Sequence, residues 1–317
     1  MTLFAPDAAG LGACVAKLKS GEAIGMPTET VYGLAADACS GVAIARIYAL
    51  KDRPSFNPLI CHVADKAMAE RLGVFNDAAQ KLAAAFWPGP LTLVLPRAPD
   101  CPIDPLASAG LDTIALRVPA HPLAQQLLVA FGGPLVAPSA NPSGRLSPSS
   151  AAHVIDLMPS IDVLDGGDCT VGIESSIIGC LDETPLWLRA GGLARADIEA
   201  VLEQELIELP EEEGTTAKLA PGRLARHYAP NTALRLNADA VRDGEWLIGF
   251  GADAPADCKF NLSQAGELTE AAANLFSVLH QADAQASAAG KTLAIMPIPH
   301  GGLGEALNDR LARAANR

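Results

Sequence analysis

Pro27-Thr28-Glu29-Thr30-Val31-Tyr32-Gly33 sets four polar side chains between a proline and a glycine, directly after the strand-like run 22–27. Turn chemistry accounts for Pro27 and Gly33. It does not require Thr28, Glu29, Thr30 and Tyr32 together, and such a group suits the wall of a polar pocket for an amino acid or a nucleotide. Two clusters answer it downstream, Lys51-Asp52-Arg53-Pro54 and Ser139-Ala140-Asn141. Each lies where an α/β chain would end a strand or turn into a helix, and open α/β sheets bind ligands at such edges. Together the three predict an α/β fold with one site for a phosphorylated ligand.

The pattern around these clusters agrees. Helical spacing of apolar residues predicts helices over 8–20, 42–50, parts of 67–86 and 122–131. Short apolar, β-rich runs predict strands over 58–63, 91–95, 113–118 and 134–138, an alternation that argues for helices packed on a sheet. Six glutamates between positions 203 and 213 mark a solvated linker, followed by Ala220-Pro221-Gly222-Arg223-Leu224-Ala225-Arg226-His227-Tyr228-Ala229-Pro230. From Thr232 a second, smaller α/β pattern begins, with strands over 233–236, 246–250 and 292–297 and helices over 268–286 and 304–314. The expected organisation is a first domain over 1–205, a linker over 206–231, and a small C-terminal domain over 232–317.

Bulk properties exclude several classes. With 317 residues, 50% hydrophobic and 19% charged, the chain can bury a sizeable core. Only 4% of residues are aromatic, so that core must be aliphatic. A formal net charge of −13 gives no overall reason to sit on nucleic acid or an anionic membrane. The seven cysteines are scattered and never spaced as CxxC, which speaks against a zinc or disulfide framework and for reduced thiols in a cytoplasm. No run approaches membrane-spanning length, and no signal peptide is recognisable at the N-terminus. GxxxxGK[ST], GxSxG and HExxH are all missing from the sequence.

The cations and hydroxyls admit two readings each. Lys51 and Arg53 before Pro54 suit a helix C-terminus, and equally a grip on polyphosphate, Arg as a planar fork and Lys as a point charge. Asn57 and His62 on the adjoining strand favour the second. Ser139 to Gly144 follow an apolar strand, and Ser147-Pro148 reads as a helix N-cap; backbone amides and hydroxyls there also suit phosphate oxygens. Arg117 inside a β-rich segment is costly unless it is paired or meets an anionic ligand. Gly172-Ile173-Glu174-Ser175-Ser176 and Leu188-Arg189-Ala190-Gly191 add further hydroxyls and one more cation at loop edges.

The segments PTETVYGL, KDRPSFNPLICHV, WPGPLTLVL, GLDTIALRVPAHP, APSANPSG, GIESSII and LRAGG fall in order across residues 20–195. In them the chain resembles the threonylcarbamoyl-AMP synthase family, whose common domain is called YrdC-like. The APGRLARHYAP linker and the second domain resemble the longer, two-domain form, with Arg223 where that form commonly carries an apolar residue, and the resemblance implies that the linker over 206–231 crosses the active site. The resemblance implies an open twisted sheet with flanking helices plus a smaller Rossmann-like α/β C-terminal domain. It implies condensation of L-threonine, bicarbonate and ATP to threonylcarbamoyl-AMP and pyrophosphate. The product would pass to a tRNA threonylcarbamoyl transferase complex for the N6-threonylcarbamoyl modification of adenosine, without strong direct tRNA binding by this chain. By similarity, Thr30, His62, Arg117, Ser175 and the Ala137 backbone would take threonine, with Arg117 on its carboxylate. Arg53, Asn57, Thr113, Ser139, Asn141, Ser147, Arg189 and Tyr228 would take ATP, with Lys51 and Arg53 as the catalytic cations. Mg2+ would be bound mainly through the ATP phosphates, with no protein metal site, and Glu29 would brace the turn. Two alternatives stay open at this stage, a carbamoyltransferase-type YrdC enzyme and an RNA-binding module without turnover.

Overall fold

The computed structural model describes residues 1–54, 57–208, 228–256 and 258–316. Two sheets organise them. The strands of the larger are β1 (Leu3–Phe4), β2 (Ile24–Met26), β3 (Gly33–Asp37), β4 (Ile60–His62), β5 (Leu91–Pro96), β6 (Thr113–Arg117), β7 (Leu135–Val136), β8 (Asp162–Leu164), β9 (Ser176–Gly179), β10 (Leu186–Arg189) and β11 (Ile207–Glu208). They lie side by side as β1-β8-β2-β3-β7-β4-β6-β5-β9-β10-β11, with parallel and antiparallel neighbours mixed. The smaller sheet holds β12 (Leu234–Arg235), β13 (Glu245–Gly249), β14 (Phe260–Asn261) and β15 (Thr292–Ile295) in the order β12-β15-β13-β14. Every pairing in it is parallel, and the helices Leu268–Ala288 and Gly304–Ala315 pack with it. Both sheets carry helices, so the fold is α/β as the alternation requires.

Local chemistry sets the helix ends. Asp7 caps Ala8–Lys19 by accepting from the Gly10 amide at 2.8 Å, and Ser40 caps Gly41–Lys51 through the Ala43 amide at 3.3 Å. Pro122–Phe131 starts with proline in its first turn and stops at Gly132 in the left-handed conformation. The helix after the serine-rich turn differs from expectation. It spans Ala151–Leu157 and is capped by Ser150, not Ser147, whose hydroxyl is donated to Glu174 Oε1 at 2.6 Å instead.

The core is aliphatic, as the scarcity of aromatics demands, and its largest cluster lies along the central strands of the larger sheet. β3, β8, β9 and β10 carry little sequence signal because they are short and almost wholly buried. A strand covered on both faces shows no polar alternation. A second cluster joins the two halves: Val31, Leu146 and Ile173 pack with Tyr228, Leu275, Phe276 and Leu307. At Gly172 (φ 75°) a Cβ would lie 2.4 Å from the Ala272 carbonyl oxygen, so only glycine allows the helix Leu268–Ala288 this close.

Candidate functional site

The turn at 27–33 is built by Thr28. Its hydroxyl donates to the Val31 carbonyl at 2.6 Å and accepts from the amides of Thr30 and Val31 at 3.2 Å each. Tyr32 points elsewhere, its hydroxyl donating to the Gly167 carbonyl at 2.8 Å and accepting from the Gly166 amide at 2.9 Å. That leaves Thr28 and Thr30 on a cavity between the turn, the ends of β4, β6 and β7, and the 174–175 segment.

This cavity gathers the residues that the sequence singles out for threonine: Thr30, His62, Arg117, Ala137 and Ser175 all line it. Arg53, Ser139, Arg189 and Tyr228 line it too. Asn57, Thr113, Asn141, Ser147 and Lys51 do not, although Lys51, Asn57, Asn141 and Ser147 are buried around it. Thr113 stands at the start of β6, on the same face as Arg117 by strand alternation but four residues away. His227 and the linker over 209–227, including Arg223, lie outside the described residues, as do Ser55 and Phe56.

Arg117 is fixed from three sides. Its Nη2 bonds Glu29 Oε1 at 2.5 Å, Nη1 bonds Thr30 Oγ1 at 2.8 Å, and Nε bonds the Gly89 carbonyl at 3.2 Å. Glu29 therefore does more than brace its turn: it is the counter-ion of the strand arginine. Register puts His62 of β4 directly beside Arg117 of β6. Burial, reinforced by the Arg117 charge, pulls the His62 ring down to about 3, so it is neutral, and its Nδ1 has no hydrogen-bond partner. Asn57 Oδ1 is likewise buried without a partner.

Lys51 ends its helix as a buried side chain. It donates to the carbonyls of Ser139 and Asn141 and, at 3.5 Å, to Asn141 Oδ1. Burial, with Arg53 nearby, holds its amine well below the ordinary lysine range. The Ser139-Ala140-Asn141 loop thus rests on Lys51, and Asn141 Nδ2 carries the restraint on to the Arg145 carbonyl at 2.8 Å. Arg53 is steadied by the carbonyls of Asn57 at 3.3 Å and Pro58 at 3.0 Å. Arg189, the last residue of β10, clasps Ser175, with Nη2 at 2.8 Å from its carbonyl and 3.2 Å from its hydroxyl. Burial lowers both arginines to about 10, so each remains a cation at neutral pH. Ser175 Oγ also meets Thr92 Oγ1 at 2.7 Å.

Three residues escape sequence reasoning. Thr92 and Glu174 sit in motif segments without drawing notice, and Arg310 belongs to a helix of the second half that reads as ordinary amphipathic sequence. Among the described residues no group of three or more His, Cys, Asp or Glu side chains converges as a metal site, and no helix is long and apolar enough to cross a membrane.

What the arrangement offers is a chamber with three cationic guanidinium groups, several hydroxyls and a neutral imidazole, suited to an amino acid beside a polyphosphate. Comparison with known proteins agrees. Residues 16–191 match the family described as Telomere recombination, and residues 193–316 match Threonylcarbamoyl-AMP synthase, C-terminal domain. Threonylcarbamoyl-AMP synthase of Pyrococcus abyssi is 38% identical, with 94% of this chain and 92% of that protein aligned. Its Bacillus subtilis counterpart is 43% identical over 70% of this chain, which spans only 64% of that protein's length. The crystal structure of P. abyssi Sua5 complexed with L-threonine superposes with a TM-score of 0.87 at 35% identity, covering 98% of this chain and 95% of that one. Escherichia coli YciO, at 23% identity and a TM-score of 0.54 over 60% of this chain, shares the fold. On the two family matches and the near full-length relative, the chain belongs to the threonylcarbamoyl-AMP synthase family.

Proposed function

We propose that the protein condenses L-threonine, bicarbonate and ATP to threonylcarbamoyl-AMP, releasing pyrophosphate and water. The observation that carries this reading is one cavity lined by Thr30, His62, Arg117 and Ser175 together with Arg53, Ser139, Arg189 and Tyr228. The solved P. abyssi relative binds L-threonine, which supports the assignment of the amino-acid substrate.

Arg117 has five N–H donors, of which three are engaged by Glu29, Thr30 and Gly89. The remaining two are proposed to receive the threonine carboxylate, a bidentate match of planar groups. Thr30 and Ser175 add hydroxyl contacts, the Ala137 backbone closes the wall, and neutral His62 offers Nδ1 without adding charge. The threonine amine then attacks CO2 derived from bicarbonate, forming the N–C bond of a carbamate and losing its proton to solvent. A carbamate oxygen attacks the α-phosphorus of ATP, and the bond to the β-phosphate oxygen breaks with pyrophosphate as leaving group.

No protein nucleophile is required. Catalysis rests on positioning the two substrates and on cations facing the charge that develops on the phosphates. Arg53 and Arg189 are proposed to supply those cations, and Ser139 a hydroxyl on the same wall. Asn57, Thr113, Asn141, Ser147 and Tyr228 complete the nucleotide side. Lys51 acts one step back, by holding the Ser139–Asn141 loop. Each carboxylate nearest the cavity already faces an arginine, Glu29 through Oε1 with Arg117, its Oε2 being buried without a hydrogen-bond partner, and Glu174 with Arg310 and Ser147. The donor set therefore suits no protein-held ion, and Mg2+ is proposed to arrive on the ATP phosphates. The adenylate would be handed to a tRNA threonylcarbamoyl transferase complex, in a cytoplasmic setting that suits seven cysteines held in no disulfide.

The test is pyrophosphate release from purified protein with Mg·ATP and bicarbonate, with and without L-threonine, and detection of the adenylate by mass spectrometry. Release that depends on both threonine and bicarbonate supports the reading. ATP turnover indifferent to threonine rejects it.

A further inference from the structure

The helix Gly304–Ala315 belongs to the smaller sheet's layer, yet one of its side chains reaches the wall of the site. Arg310 has no solvent exposure. Its Nε donates to Glu174 Oε2 at 3.1 Å and its Nη1 to Asp309 Oδ2 at 2.9 Å. The guanidinium carbon lies 5.6 Å from the centroid of the Tyr228 ring, and Nη2 is buried with no hydrogen-bond partner. The other oxygen of Glu174 accepts from Ser147 Oγ at 2.6 Å. Glu174 and Tyr228 both line the cavity.

Glu174 is the anomaly. A polyphosphate site gains from cations, hydroxyls and amides. A carboxylate on its wall, only 7% exposed, repels the ligand and is costly to bury unless it is paired. We propose that Arg310 is a positioning residue of the synthase: it neutralises Glu174, so that this carboxylate can orient Ser147 without repelling the triphosphate, and it seats the Tyr228 ring against the cavity. The inference rests on the synthase reading, which puts ATP beside Glu174. It gives the C-terminal domain a chemical task, because the charge balance of the site is then completed by a residue of that domain.

A bridge that merely anchors one domain to the other behaves differently. Removing either end weakens an anchor, so E174Q would then loosen ATP binding as R310M does. Charge compensation predicts the opposite for E174Q, with recovery in the double variant, because Gln at position 174 still accepts from Ser147 but carries no charge. The comparison is a double-mutant cycle on the full chain, comprising wild type, R310M, E174Q and R310M/E174Q. ATP affinity is read by calorimetry and by the KM for ATP in pyrophosphate release.

R310M is expected to weaken ATP binding about tenfold or more, with the KM for threonine unchanged, as the loss of a guanidinium that pairs with a buried wall carboxylate implies. R310M/E174Q recovers most of that loss, and E174Q alone binds ATP at least as tightly as wild type. Affinity in R310M within about twofold of wild type, far below what losing one partner of a buried ion pair costs, or a double variant no better than R310M, overturns the proposal. Should R310M not fold, E174Q decides: the proposal requires undiminished ATP binding in that variant. Weakened binding in folded E174Q overturns it. Wild-type protein that binds ATP but makes no threonine-dependent pyrophosphate rejects the synthase reading instead, and the calorimetric cycle still decides the role of Arg310.

Discussion

Arg117 Nη2 stands 2.5 Å from Glu29 Oε1, with both side chains under a tenth exposed, so the cation in the middle of the sheet and the carboxylate of the turn are one buried ion pair. The pair explains how a strand of apolar neighbours tolerates an arginine. It also ties the 27–33 turn to β6 at the spot where threonine is proposed to bind.

Breaking one partner should therefore act on stability and on chemistry together. Arg117→Ala strands the Glu29 carboxylate and is expected to cost about 3–5 kcal/mol of stability, the usual penalty for orphaning a buried ion. Below its unfolding midpoint, the variant should lose threonine-dependent pyrophosphate release while keeping most of its ATP affinity. Urea unfolding and ATP calorimetry measure the two effects separately. Equal loss of threonine and ATP binding in a folded variant would count against the threonine assignment.

Much of this site is legible in the sequence, and what is missed has a common cause. Arg53, Arg117, Ser139 and Thr30 are found because polar residues stand where strands and turns meet. Lys51 shows the limit. Two cations one residue apart look equivalent, yet Arg53 lines the cavity and Lys51 lies beneath a loop 88 positions downstream. Nothing local distinguishes them, because the difference is made by the Ser139–Asn141 loop. Arg310 is harder still: its helix shows ordinary spacing, and only the docking of that helix against Glu174 buries it. Strand order is lost for the same reason, since β4 pairs with β6 and β7 across long stretches of chain.

The position of Lys51 makes a prediction that separates it from a phosphate-binding lysine. Lys51→Met takes one donor from each of the Ser139 and Asn141 carbonyls; the Ser139 carbonyl keeps the Asn141 amide at 3.0 Å, so the cost is about 1–3 kcal/mol for the Asn141 carbonyl left short of a partner. The expected result is a clear drop in the urea midpoint alongside weaker ATP binding. A lysine that served only the ligand would show the second effect and not the first.

Acid should destabilise the protein through its histidines before its carboxylates. His62 is lowered from 6.5 to about 3 by burial and by Arg117, and His153 from 6.5 to about 4 by burial and by His280, whose ring stacks on it at 4.1 Å. The folded protein keeps both rings neutral, whereas the unfolded chain protonates them near pH 6.5. Their contribution is complete above that value and declines as pH falls toward the folded values. For fully buried His62 the decline is about 2 kcal/mol by pH 5. Unfolding midpoints should thus fall between pH 7 and 5, and His62→Asn should flatten part of that slope. An unchanged slope in the variant would mean that His62 titrates normally.

Two glycines predict opposite responses to the same added methyl group. At Gly191 a Cβ would sit 2.3 Å from the Ser175 carbonyl carbon and the Ser176 amide nitrogen, and 2.4 Å from the Glu174 carbonyl oxygen. These are backbone atoms at the mouth of β9, so they cannot swing aside as a side chain would. Gly191→Ala must displace the segment that carries Glu174 and Ser175, at about 1–3 kcal/mol or more for overpacking. Because Arg189 holds that segment through Ser175, the KM for threonine should rise as well. Gly12, exposed in the helix Ala8–Lys19, has nothing within 4 Å of its Cβ position. Gly12→Ala should stabilise by about 0.5–1 kcal/mol through helix propensity and leave activity untouched. Thermal melts and threonine titrations of the two variants check both at once. A Gly191→Ala protein with wild-type melting and wild-type KM would show that the 174–176 segment is not held where the close approach to Gly191 puts it.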